Sequence, residues 1–450
     1  MRKIDKRQGL MLCAAGLLVI VMLTVFIRLG TSKVLVNRAH MDNAITQIIL
    51  YGNSNLQKID TRAPQKKIVW EKAYPFADID GGNKVTFLFT KKIESKAANV
   101  EKKIGEWTGK HLLGYYKLAE TGRAYESAVG WNLVSPDLEI APLGDGAWTY
   151  VYSKYDVSEE SISISKLANN VRANGGHFMY IQAPFKVDPY ADFAINGRLD
   201  FTNQNCDDLL SKLQNNGIET LDLRENLHSW SQQERVNYHD FFFRTDHHWK
   251  PETALRAAKV VGERLKSYGI TVDDTYYDLN YFSIDIIPKY FLGSQGKKAT
   301  LGKTEPDDFS ILHPKFPTHL HFSVPELNVD EVGNFEITYD KKEVARRDFY
   351  NLNPYGMYGY ADRALITIEN LLMPETDKKV LLIRDSFCDT MGPFLALGIR
   401  NLEMLDVRHF TGSVETYIEE HKPAVVIVME TGAMNSPIDW STHKDKYDFR

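Results

Sequence analysis

From Val157 onward the apolar residues follow two alternating rhythms, one near helical period and one of short unbroken runs. Ser158 to Val171 carries the first and stops at Gly175-Gly176, which predicts a helix closed by glycine. His177 to Ile181 carries the second and predicts a buried strand. The pair then repeats. A helix is predicted near Cys206 to Leu213, ended by Asn215-Asn216-Gly217, and a strand over Ile218 to Leu223. Pro251 suits the first position of a further helix reaching about Leu265. Val380 to Ile383, Leu402 to Leu405 and Ala424 to Met429 read as three more buried strands. Strands apolar on both sides, alternating with helices, predict an α/β fold: a parallel sheet with helices on both faces.

The segment at about 283–349 breaks this rhythm. Pro314, Pro317 and the alternating Phe335-Glu336-Ile337-Thr338-Tyr339 predict a β-rich insertion of antiparallel strands. Closer to the N-terminus, Val85 to Phe89 reads as a strand and Glu101 to Ala119 as a helix. Before them lies an uncharged stretch from Gly9 to Ile27, preceded by Arg2, Lys3, Lys6 and Arg7 and followed by Arg28. As a helix it would span roughly 28 Å, close to the hydrocarbon thickness of a bilayer. Its bulky apolar half and weak cleavage motif favour a retained signal-anchor over a cleaved signal peptide. The preceding cations keep the N-terminus cytoplasmic. The expected organisation is a cytoplasmic tail (1–8), a single-pass transmembrane helix in the cell membrane (9–28) and a linker or stalk (29–75). One extracytoplasmic domain (76–450) would hold the insertion.

Composition narrows the function classes. A net charge of −5 gives no basic footprint, which excludes nucleic acid as a partner. Cys13 falls inside the anchor, leaving Cys206 and Cys388, so at most one disulfide can form. No Cys-x-x-Cys pair occurs, which excludes zinc ribbons and thioredoxin-type chemistry. Aromatic residues make up 12%, compatible with carbohydrate stacking.

Two stretches carry chemistry. Asp246-His247-His248-Trp249 is one; Arg384-Asp385-Ser386-Phe387, directly after the apolar run Val380 to Ile383, is the other. A hydroxyl becomes a useful nucleophile when a base takes its proton and a carboxylate fixes the base's tautomer. Asp246 and His248 are two positions apart, so on an extended loop both point the same way. Ser386 stands where a buried strand ends, the usual place for reactive groups in α/β sheets. Alone, the first stretch reads as a loop of solvated imidazoles and the second as a helix cap. Together they supply the parts of an acyl-transfer site. His239, Asp240, Asp246, His247 and His248 also suggest metal ligands. Adjacent histidines rarely converge on one ion, and Ser386 would be left without a role, so neither metal nor cofactor is expected.

The two stretches, extended to Arg244 to Glu252 and Leu382 to Phe387 with Gly392-Pro393-Phe394 behind, resemble the DHHW family of bacterial cell-surface proteins. Asp406-Val407-Arg408 and Ala183-Pro184-Phe185-Lys186 add to the resemblance. That family is a branch of the SGNH hydrolase-like superfamily, related to the alginate O-acetyltransferase-type proteins. The resemblance implies a flavodoxin-like sheet with Ser386 as nucleophile, His248 as base and Asp246 as the acid orienting it. It also implies a rearranged motif order, since the Ser block usually comes first. A glycine usually precedes Asp-Ser; here Arg384 does. Oxyanion or substrate groups would come from the Ser386 N–H, from Gly432 and Asn435, or from Arg384 and Arg408, although Arg408 has Asp406 as an obvious salt-bridge partner. Tyr355, Tyr358 and Tyr360 could line a sugar groove or form a packed turn. His247 is expected to point away from its neighbours, and Trp249 and Cys388 to pack.

The leading expectation is a membrane-anchored extracytoplasmic O-acyltransferase, O-acetyl by resemblance, acting on an exopolysaccharide or cell-wall polymer. The resemblance implies a multi-span membrane O-acyltransferase as acyl donor partner. A carbohydrate acetylesterase would use the same triad. A non-catalytic polysaccharide-binding or assembly protein is the third reading, and Arg384 is its main argument.

Overall fold

Burial on both sides makes the apolar runs the middle of a sheet. The computed structural model describes residues 115–128, 140–191, 194–195, 198–431 and 445–450. They open with helix α1 (Tyr115–Ala128) and a hairpin of β1 (Ile140–Gly144) and β2 (Ala147–Tyr150). Next come α2 (Ser158–Ala173), β3 (His177–Gln182), the short pair β4 (Ala194–Ile195) and β5 (Arg198–Leu199), and α3 (Thr202–Asn215). β6 (Glu219–Asp222), α4 (Leu223–Glu234) and α5 (Pro251–Lys266) follow. The middle of the chain gives β7 (Phe282–Phe291), α6 (Ser294–Ala299), β8 (Asp307–Pro314), β9 (Leu320–Val324), β10 (Val329–Gly333) and β11 (Leu365–Asn370). The last elements are β12 (Val380–Arg384), α7 (Phe387–Leu397), β13 (Asn401–Leu405), α8 (Val414–His421) and β14 (Val425–Glu430).

The main sheet has eight strands in the order β10-β9-β11-β13-β12-β14-β3-β6. From β13 to β6 all neighbours run parallel. Side-chain alternation splits each central strand between two cores. Val380, Leu382, Val425, Ile427, Met179 and Ile181 face one core, packed against α5 and α7. Leu381, Ile383, Val426, Val428, Phe178 and Tyr180 face the other, against α2, α3 and α8. Each such side chain, fully buried, contributes about 1.5–3 kcal/mol by area. Helices on both faces are thus what the pattern predicted.

β12 marks the point where the chain reverses its progress across the sheet. It is followed by β13 on one side, through α7, and then by β14 on the other, through α8. The helices leave on opposite faces, which opens a crevice at the carboxyl ends of β12 and β14. Ser386 lies there. Gly392 keeps α7 close to the sheet, since an added Cβ would stand 2.4 Å from Met404 Sδ.

The insertion departs from expectation. β7 and β8 form a separate antiparallel pair, but β9 and β10 join the main sheet through β11, extending it by antiparallel pairing. Phe335 to Thr338 is a 3₁₀ helix rather than a strand; Phe335 is buried against Phe394, and one helical turn achieves that. β6 stops at Asp222, because Asp222 accepts from Arg224 N and caps α4. Cys206 and Cys388 are free and buried. The expected anchor (9–28), the linker (29–75) and the strand over Val85 to Phe89 lie outside the described residues, as does most of the Glu101 to Ala119 helix. Among the described residues no helix is long and apolar enough to cross a membrane.

Candidate active site

Ser386 is held by the residue before it. Asp385 Oδ1 accepts from Phe387 N at 3.0 Å, and its Oδ2 accepts from both the N–H and the hydroxyl of Thr431 at 2.6 Å each. Thr431 follows β14, so the turn after β12 is tied to the neighbouring strand. This leaves Ser386 in helical geometry (φ −65°, ψ −15°) as the N-cap of α7. Its side chain caps nothing and is partly exposed.

The two distant stretches meet here. His248 Nε2 lies 2.7 Å from Ser386 Oγ, and His248 Nδ1 lies 2.5 Å from Asp246 Oδ1. A carboxylate can only accept, so Nδ1 carries the proton and Nε2 is free to accept from the hydroxyl. Asp246 is buried and also takes the N–H of His248 at 3.1 Å and of Ser294 at 2.6 Å. Burial alone would raise its carboxyl; the imidazoles of His247 and His248 and these hydrogen bonds hold it well below the usual range.

The loop bearing Asp246 and His248 is braced from several elements. Phe242 and Trp249 form an antiparallel bridge, so the loop is a tight bend. Trp249 is buried and donates from Nε1 to Phe387 O at 3.1 Å, joining the loop to α7. Asp307, on β8, accepts from Arg244 N and from the N–H and hydroxyl of Thr245. Lys186 is buried and its Nζ donates to Trp148 O (2.6 Å), Arg244 O (2.9 Å) and Gln295 Oε1 (2.8 Å). Three ammonium protons meet three uncharged acceptors, and burial pulls the amine down to about 7. At Gly293 an added Cβ would stand 2.1 Å from Asp246 Cβ.

The remaining predicted residues fall elsewhere. His247 does not point away: its ring sits 3.8 Å from that of His248, with Nδ1 2.9 Å from Ser294 Oγ, because the loop is bent and not extended. The ring is partly exposed, and the desolvation of its remaining surface together with His248 holds the imidazole below the usual range. Arg384 is not an oxyanion donor. It is fully buried, paired with Asp389, within 3.6 Å of Asp362 and 3.8 Å of Asp406, and donates to Ala361 O and Arg363 O. Arg408 belongs to the same cluster, bonded to Asp406 at 2.6 Å and Asp362 at 2.5 Å. Tyr358 lines no groove; it is fully buried, donating to Ser310 O and accepting from Leu312 N. Tyr355 is buried too, stacked on His248. Gly432 and Asn435 lie outside the described residues. The Ser386 N–H finds no acceptor among the described residues and sits at the N-terminus of α7, where helix amides favour negative charge.

Ligand-type atoms of Asp246, His247 and His248 lie within 4.8 Å of one another. With Nδ1 donating to Asp246 and Nε2 facing the Ser386 hydroxyl, His248 has no lone pair left for an ion. Sequence reasoning missed Ser294 and Asp307, and for Tyr355 it offered a sugar groove or a packed turn but not the stack on His248; these contacts with the loop all come from distant parts of the chain.

Residues 148–277 match the family model of the SGNH hydrolase-like domain of acetyltransferase AlgX. The chain carries an SGNH hydrolase-like domain. The matched stretch holds Asp246 and His248 and ends before Ser386. Among solved structures, Bacillus cereus PatB1 with a sulfonyl adduct is similar in fold to this chain at 18% identity and TM-score 0.53, covering 69% of this chain and 98% of that one. A second PatB1 structure gives 18% identity and TM-score 0.51, over 68% and 98%. A DHHW family protein from Eubacterium siraeum gives 16% identity and TM-score 0.48, over 68% and 91%. Comparison with curated proteins finds no match.

Proposed function

We propose that the protein is an O-acyltransferase, transferring acetyl groups to the hydroxyls of a polysaccharide outside the cytoplasmic membrane. The observation that carries this reading is the continuous line from Asp246 through His248 to Ser386 Oγ. The match to an acetyltransferase domain supports the choice of group.

In this scheme Ser386 Oγ attacks the acyl carbonyl while His248 Nε2 takes its proton, a contribution typically of about 10²–10⁴ in rate. Asp246 stays ionised and stabilises the imidazolium. The oxyanion would form at the N-terminus of α7, with the Ser386 N–H as its donor. The leaving group departs with the proton from His248, leaving acyl-Ser386. A sugar hydroxyl then gives its proton to His248 and attacks the acyl carbon, regenerating Ser386 and forming the sugar ester. Residues 9–28 would anchor the domain to the membrane, and a multi-span membrane protein would supply acyl groups.

An esterase reading keeps the same residues and lets water resolve the acyl-enzyme; partial exposure of Ser386 favours it as the runner-up. The non-catalytic reading rested on Arg384, and it loses force because Arg384 serves a buried ion-pair cluster while Asp385 still anchors the turn. The test is the full chain in detergent with a chromogenic acetyl ester, with and without oligosaccharide. Acetylated sugar supports transfer, acetate alone supports hydrolysis, and neither product contradicts both.

A further inference from the structure

We propose that a row of partly exposed rings, Phe185, Tyr152, Tyr150 and His247, is an acceptor subsite that seats a pyranose oligosaccharide against the triad. This rests on the acyl-transfer reading and names where its acceptor lies. Tyr150 ends β2 and leans on Ile140, Trp148 and Ala299, and Tyr152 follows it across the buried Val151; both tyrosines are half-buried. Ring centroids step from Phe185 to Tyr152 (6.3 Å), to Tyr150 (6.1 Å), to His247 (5.8 Å) and on to His248 (3.8 Å).

Exposure separates this row from the other rings near the site. Phe185, Tyr152, Tyr150 and His247 are each partly exposed, whereas Phe243, Trp249 and Tyr355 are buried. Half-exposed rings, three of them with a polar edge, offer both kinds of contact a pyranose can use, its C–H face and its rim of hydroxyls. Lys298 Nζ stands 4.7 Å from the Tyr150 ring centre, a cation–π contact that braces this ring. The row is also held at fixed distance from His248. Trp148 N donates to Arg244 O at 2.9 Å, and Lys186 Nζ bridges Trp148 O and Arg244 O, so hairpin and His loop are one unit.

The test uses the full chain in detergent carrying Ser386→Ala, titrated calorimetrically with N-acetylchitopentaose and with cellopentaose. Saturable binding of at least one probe is expected. It should weaken about tenfold or more in Tyr150→Ala/Tyr152→Ala and return to within about twofold in Tyr150→Phe/Tyr152→Phe, given that tenfold corresponds to 1.4 kcal/mol. If the double alanine variant does not fold, Tyr152→Ser and Phe185→Leu are titrated singly, and each should weaken binding. Absence of binding by both probes overturns the subsite, as does binding that no ring substitution changes. Ring-dependent binding by a protein that, with Ser386 restored, turns over no ester would keep the subsite and sink the acyl-transfer reading.

Discussion

His248 and Tyr355 lie ring on ring, centroids 3.9 Å apart and planes 13° from parallel. The Tyr355 hydroxyl also donates to Phe387 O at 3.3 Å, so one buried side chain supports the imidazole and touches the nucleophile's helix. A small tilt of the base lengthens its bond to Ser386, and a misplacement of about 1 Å can cost 100-fold in rate. Tyr355→Ala should therefore lower kcat for acetyl-ester hydrolysis by about 10–100-fold. Tyr355→Phe, which keeps the stack, should stay within severalfold. Steady-state kinetics on both variants checks this, and equal losses would show that stacking is not what matters.

Gly293 is required by close approach rather than by its backbone angle. A methyl group there overlaps Asp246 Cβ, so Gly293→Ala must push the acid or the α6 turn aside. Overpacking of this kind typically costs about 1–3 kcal/mol of stability. Activity should fall more than stability does, by about 100-fold, because Asp246 orients the base. Melting temperature and kcat/KM measured together separate the two effects.

Lys186 gives a pH signature. Its folded-state value of about 7 lies below the ordinary 10.5, so between these values the unfolded chain holds a proton that the folded chain lacks. Stability from this group therefore rises from about pH 7 toward 10.5 and is lost as pH falls through 7. In Lys186→Met this rise should vanish from denaturant midpoints taken between pH 7 and 9.5. Loss of three hydrogen bonds to the hairpin, Arg244 and Gln295 should also lower activity at every pH.

The surroundings of Arg384 explain how the chain holds a large cation at the end of β12. The guanidinium is enclosed by Asp389, Asp406 and Asp362, whose charges offset the cost of its burial. Arg384→Gly would leave the buried Asp389 without its cation and take a second positive charge from Asp362 and Asp406, which keep Arg408. A loss of about 3–5 kcal/mol is expected, seen as a lower denaturant midpoint. A neutral result would show that the cluster adapts.

Much of this was legible in the sequence, because strands buried on both faces must be apolar throughout. Val380 to Ile383 and Val425 to Met429 therefore announced themselves, as did the pairing of Asp246-His248 with Ser386. β9 and β10 were not assignable to the main sheet. They are short, with several residues exposed along β10, and their membership is fixed by pairing with β11, which periodicity does not report. The direction of His247 was misread because the loop bends through the Phe242–Trp249 bridge. Ser294 and Asp307 gave no local signal, and Tyr355 gave only an aromatic turn, since each acts through a contact to the His loop made only in the folded chain.

The most direct test is labelling of the full chain with phenylmethanesulfonyl fluoride, followed by intact-mass and peptide mass spectrometry. The account predicts one sulfonyl adduct on the peptide holding Ser386, absent in Ser386→Ala and slowed by about 10³-fold or more in His248→Gln. A folded protein that takes up no adduct, or that reacts at Ser386 equally fast with His248 replaced, would contradict it.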